Sequence, residues 1–248
     1  IIDECRLNGG YINYFTDLQS KTNLDIFPAS EPDSLTEESQ DFIYGIDLMM
    51  LKFNDVSVNY TDLTQGMFAE LNGLNVSAKG KMKGENIVGN VKMSLRDIAY
   101  QQTTDSLSMA VKLNDLKLEG DADVKGDDIK ADIEASSSVL SYENASQIAE
   151  FNSFSFKFKG DVNDYDKIKG NAEMSVDDLS FVMEDEQLVN KADVRMILPL
   201  DANLSNMDVE LGSSQIALNN IFINMIGKVS MPNDDINVDL DLNTNTLI

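Results

Sequence analysis

In the stretch FNSFSFKFKG, residues 151–160, Phe154, Phe156 and Phe158 fall on one parity while Ser155, Lys157 and Lys159 fall on the other. Alternation of this kind gives a strand one apolar and one wet face. Phe151, three residues before Phe154, has the wrong parity. The same slip recurs where Phe53 is followed by Val56, Val58 and Tyr60, and Leu71 by Leu74 and Val76. It recurs from Leu95 to Ile98 and Tyr100, from Leu113 to Leu116 and Leu118, from Val176 to Leu179 and Phe181, and from Leu218 to Ile221 and Ile223. The residues skipped are polar or Gly: Asn72-Gly73, Arg96-Asp97, Asn114-Asp115, Asp177-Asp178 and Asn219-Asn220. One extra residue turns every later side chain to the other face. A β-bulge absorbs it, restores the facing and bends the strand. The slips therefore predict bulges lying side by side, along a line on which the sheet curls.

The pattern repeats. Gly80, Gly120 and Gly160 are 40 residues apart and end similar phrases, LNGLNVSAKG, LNDLKLEG and FNSFSFKFKG; a further copy, LNNIFINMIG, ends at Gly227. Tyr60, Tyr100, Tyr142 and Phe181 close the alternating runs at a similar interval. A fixed period signals stacked supersecondary units. Each unit reads as two long antiparallel strands joined by Gly, Asn and Asp turns. The fold class expected is all-β: a long antiparallel meander of two-strand repeats with bulges, curled into a groove or a flattened barrel or sandwich. Inward glycines (Gly80, Gly89, Gly120, Gly160, Gly170) leave room for the bend. Residues 1–248 read as one elongated domain, with a polar loop at about 21–41. Within it, SLTEESQ (34–40) has the spacing of a capping box and is the one helix-like candidate. The opening on Ile1-Ile2-Asp3 reads as an excised piece of a longer protein.

Composition narrows the function. Lys and Arg number 19 against 43 Asp and Glu, a net charge of −24. Such a surface repels phosphate backbones, which argues against nucleic-acid binding. With no His and one Cys, Cys5, Ser-His and Cys-His nucleophile pairs are excluded and metal sites of N/S type nearly so. No metal, cofactor or enzyme activity is expected. The carboxylates of the turns (Asp127-Asp128, Asp161 with Asp164 and Asp166, Asp234-Asp235) lack calcium-loop spacing and read as solvated charge. Asp177-Asp178, adjacent on a strand, point to opposite faces and make a poor acid–base pair.

The apolar face is then the feature to explain, because the sequence supplies no helices to cover it. It closes on itself as core, stays open as a trough for an apolar ligand, or packs on a partner or another part of a longer chain. The candidate lining is Leu74, Val76, Val91, Met93, Leu95, Leu116, Leu118, Phe154, Phe156, Phe158, Met174, Val176, Met196, Leu198, Ile221, Ile223 and Met225. Its methionines are adaptable.

The phrases LNGGYINYFTD (7–17) and FNDVSVNYTDLTQGMFAELNGLNVSAKG (53–80) resemble the AsmA-like proteins of diderm bacteria. The match falls on Leu7, Asn8, Ile12, Tyr14 and Asp17. It falls again on Phe53, Asn54, Val56, Val58, Tyr60 and Asp62, with Leu71, Leu74, Val76 and Gly80. Later copies keep the strand rhythm and lose the Tyr-x-Asp. The resemblance implies a periplasmic protein of outer-membrane biogenesis, tethered to the inner membrane by an anchor outside this chain. It implies a long β-groove that shelters phospholipid or other acyl chains between the membranes, with no catalytic residues. The alternative expectation is a scaffold with a closed β core that binds outer-membrane assembly proteins by strand addition. A glycan-binding or adhesive module is disfavoured, because aromatics are 7% with no Trp and face mostly inward by parity.

Overall fold

The computed structural model describes residues 3–23, 45–104, 107–231 and 235–246. The predicted loop and its helix-like segment fall mostly outside these. Fourteen strands follow in order: β1 (Cys5–Thr16), β2 (Gly45–Asp62), β3 (Met67–Lys83), β4 (Asn86–Thr103), β5 (Ser108–Lys125), β6 (Asp128–Ser137) and β7 (Val139–Asn144). Then come β8 (Gln147–Phe151), β9 (Ser153–Asn163), β10 (Lys167–Met183), β11 (Glu186–Asn203), β12 (Asp208–Leu218), β13 (Ile221–Ser230) and β14 (Asn237–Thr246). Among the described residues there is no helix.

All the strands belong to one sheet, in the order β1-β2-β3-β4-β5-β6-β9-β10-β11-β12-β13-β14, with β7 and β8 beside β5 and β10. The short β7 and β8 are not an extra layer. Leu140 pairs with Phe151 and Ser137 with Phe154, so the register runs unbroken across the gaps at Ser138 and Asn152. β6–β7 and β8–β9 are each one long strand interrupted by a single residue. Among the described residues the two ends of the sheet, β1 and β14, do not pair with each other; β5, β6, β9, β10, β8 and β7 pair around a ring of six strands, which encloses the gaps at Ser138 and Asn152 and is not a barrel.

The repeat is visible as strand pairs that begin at Met67, Ser108, Gln147, Glu186 and Ile221. The first pair departs from the expected meander: β1 lies parallel to β2, in register. The two are copies of the same strand, and parallel alignment matches like with like. Tyr14 stacks on Tyr60, with ring centroids 5.2 Å apart and planes 4° apart. Asn54 Nδ2 donates to Asn8 Oδ1 over 2.5 Å.

The bulges lie in one row. Asp55, Gly73, Asp115 and Asp178 have positive φ (52°, 70°, 52° and 55°), the left-handed geometry that inserts an extra residue. The row explains why the skipped residues are polar. Bulging frees backbone groups, and neighbouring side chains take them up. Asp55 N donates to Asn75 Oδ1 at 3.1 Å, and Asp178 N to Asp193 Oδ1 at 3.1 Å. Ser138 Oγ donates to Asp115 Oδ2, and Asn152 Nδ2 to Asp178 Oδ2, each over 2.8 Å. At the opening stretch, the bulge turns Phe151 onto the face of Phe154, with ring centroids 6.0 Å apart.

One expected bulge is a turn instead. Asn219-Asn220 joins β12 to β13 as a two-residue hairpin, with Leu218 paired to Ile221. Asn219 still extends the row, since its N–H donates to Asp193 O over 2.8 Å. The glycines also divide. A Cβ on Gly160 would stand 2.5 Å from Lys169 O, and one on Gly170 2.6 Å from Lys159 O. One on Gly89 would meet Lys79 O at 2.7 Å. At Gly80 the tightest approach is 3.4 Å, and Gly120 has nothing nearer than 3.8 Å and is not required by close approach.

The direction of the curl follows from burial. Val56 (2% exposed), Leu95 (6%) and Val176 (9%) flank the bulge row on the apolar face and are the buried apolar side chains larger than Ala. Asp55, Arg96 and Asp115 on the opposite side are exposed. A single layer buries such side chains only by folding its own two halves toward them, so the crease closes on the apolar side.

Candidate functional site

Register places every residue of the expected lining on this face. Val76, Met93, Leu118, Phe156, Met174, Met196 and Ile223 lie on one line that crosses the sheet from strand to strand. Ala135 bridges Leu118 to Phe156, and Ile216 bridges Met196 to Ile223. Toward the bulges, Leu74, Leu95, Leu116, Phe154, Val176 and Ile221 form a second row. On the other side lie Val91, Phe158, Leu198 and Met225. Leu95 and Val176 are buried, Ile221 is 46% exposed, and the rest are half-buried. Half-burial is what neighbours within one layer provide when no second layer covers them.

Sequence reasoning missed Phe53, Ile133, Ala135 and Ile216 of the same rows. The signal was present in IKADIEA as alternation, but Ala at half the inward positions made it weak.

It also missed an organised rim. Beyond the bulges, Tyr14, Tyr60, Tyr100, Tyr142 and Phe181 share one row, separated on intervening strands by Ala69, Val111 and Ala149. Each hydroxyl for which a partner is resolved bonds the side chain two residues on. Tyr100 donates to Gln102 Oε1 over 3.0 Å, and Tyr142 accepts from Asn144 Nδ2 over 2.7 Å. Tyr60 reaches Asp62 Oδ2 at 3.5 Å. The later repeats thus change the Asp of Tyr-x-Asp to Gln or Asn and keep the bond. Desolvation, followed by the charge of Asp62 and the nearby hydroxyls of Tyr14 and Tyr100, raises the Tyr60 pKa. Asp62 accepts from Thr64 Oγ1 over 2.5 Å and from the backbone N–H groups of Thr64 and Gln65. Led by the Thr64 hydroxyl, these bonds hold its pKa below the usual carboxylate value.

At the other end of the strands the face is aliphatic. Met82, Ile87, Val124, Ile129, Val162 and Ile168 pair in succession without a polar member. The opposite face of the sheet carries paired charge: Lys159–Asp132 and Lys92–Glu119 at 2.6 Å, Lys157–Glu134 at 2.9 Å and Lys169–Asp201 at 3.0 Å. A cleft of about 690 Å³ lies on that polar face, walled by outward Lys and Asp together with Leu48, Met49 and Val88, and floored by Gly80, Gly89, Ala122, Ala131 and Gly160. Several of its charges already pair with one another, as Lys81 with Asp47 and Lys130 with Asp161.

The fold and site define a single-layer, creased β-sheet with one apolar and one charged face. No family model, curated protein or solved structure is significantly similar to the chain.

Proposed function

We propose that the protein is a non-enzymatic lipid-handling protein whose apolar face shelters or conducts acyl chains. One observation carries this reading: an apolar surface that runs unbroken across the sheet and that no described element covers. In water such a surface needs an occupant. A lipid chain gains about 0.8 kcal/mol for each methylene it buries, or roughly 10 kcal/mol gross for a dozen. The net is far smaller, because the lipid leaves an equally apolar bilayer. Near-zero net affinity along a path is what a conduit requires. The resemblance to AsmA-like proteins fits the same reading and extends it to the periplasm, with an inner-membrane tether outside this chain and a role in outer-membrane biogenesis. The scaffold alternative needs a closed core, and among the described residues β1 and β14, the ends of the sheet, do not pair with each other.

Native mass spectrometry with lipid extraction tests the reading. Phospholipid is expected at near-stoichiometric level, and it should be lost in Phe156→Asp and Met174→Asp variants that keep their far-UV circular dichroism. A bare mass that persists after lipid is added overturns the proposal. Unfolding of both variants would make those positions core and overturn it at the centre of the face.

A further inference from the structure

The two ends of the apolar face differ in chemistry, and that difference gives a bound lipid a direction. We infer that the tyrosine rim is a head-group site for a zwitterionic, ammonium-bearing phospholipid, with the acyl chains running from the rim down the wall onto the floor. The inference rests on the groove reading above.

Four observations converge. The Tyr row lies at one end of the strands only, and the opposite end is wholly aliphatic. Tyrosine suits a boundary where its ring meets hydrocarbon and its hydroxyl meets polar groups. The hydroxyls of Tyr60, Tyr100 and Tyr142 point toward a polar line of Asp62, Gln102 and Asn144. The strands between them carry Ala69, Val111 and Ala149, apolar side chains smaller than the rings they separate. A quaternary ammonium is attracted to aromatic faces. Asp62, buried beneath the row and kept ionised by its hydrogen bonds, adds negative potential there, and a chain of net charge −24 repels anionic head groups.

The absence of Trp makes a direct test possible, because intrinsic emission comes from Tyr alone. In a Tyr11→Phe/Tyr44→Phe/Tyr165→Phe background, Tyr14, Tyr60, Tyr100 and Tyr142 are the remaining emitters. Phosphatidylcholine carrying a nitroxide on the choline is compared with the same lipid labelled near the terminal methyl. Binding of each is confirmed by native mass spectrometry. The choline label is expected to quench at least about twofold more strongly. Tyr100→Phe/Tyr142→Phe, which removes two hydroxyls, is expected to weaken phosphatidylcholine binding about fivefold and to leave hexadecane binding unchanged. Equal quenching, or stronger quenching by the terminal-methyl label, overturns the orientation and leaves the groove standing. Binding of phosphatidylglycerol as tight as that of phosphatidylcholine overturns the head-group class. If neither labelled lipid binds, the groove reading falls and the inference falls with it.

Discussion

Single residues set the bends. Asp55, Asp115 and Asp178 hold a left-handed φ that most side chains avoid. Asp tolerates it because its short polar side chain bonds locally. The glycines act differently, since Gly160 and Gly170 sit where two backbones approach too closely for any Cβ. Gly160→Ala should therefore cost about 1–3 kcal/mol. Gly120→Ala, with nothing nearer than 3.8 Å, should be neutral or stabilising by up to about 1 kcal/mol. Urea denaturation of the two variants checks the contrast, and equal effects would show that close approach is not what selects Gly160. The alternation exposed the bulge positions in the sequence, because a parity slip is a local signal. It did not separate the required glycines from Gly120, because that depends on how near the next strand runs.

At the scale of the strand, a bulge is a phase correction. Along β10, Val176 and Phe181 face the same side only because one residue between them is set aside. Deleting Asp178 removes the residue that the bulge sets aside, so plain alternation keeps Leu179, Phe181 and Met183 on the apolar face while the strand loses its bend. With the bend go the bonds from Asn152 Nδ2 and to Asp193 Oδ1, a cost of roughly 1–3 kcal/mol. Asp178→Gly keeps the phase and suits the φ of 55°, so it should stay within about 1 kcal/mol of the parent. Thermal unfolding followed by circular dichroism distinguishes them, and a deletion as mild as the substitution would mean that the bend at this strand is not required for stability. The charged partners on the outer face, such as Lys159 and Asp132, are exposed (77% and 46%). They fix register more than they add stability.

For the whole molecule, a single layer with one apolar face is extended. Twelve strands side by side span roughly 50 Å, whereas a compact chain of this length has a radius of gyration of about 18 Å. Small-angle scattering of the monomer should give a clearly larger value. A value near the compact one would mean that the face is closed after all.

The sequence by itself determined the strands, their two faces and the sites of most of the bulges. Those follow from alternation and from local backbone preference, which each strand carries within itself. Only the tertiary structure decided the rest. Asn219 has a φ of 52°, like Asp55 and Asp115, yet it begins a hairpin where they make bulges. The local geometry is the same, and the position of the partner strand decides what it becomes. The parallel β1–β2 pair, the Tyr row with Ala between its rings, the Gln and Asn that replace Asp as hydroxyl partners, and the side toward which the crease closes all arise between strands far apart in the chain. They depend on register, a property of pairs of strands that no single strand encodes.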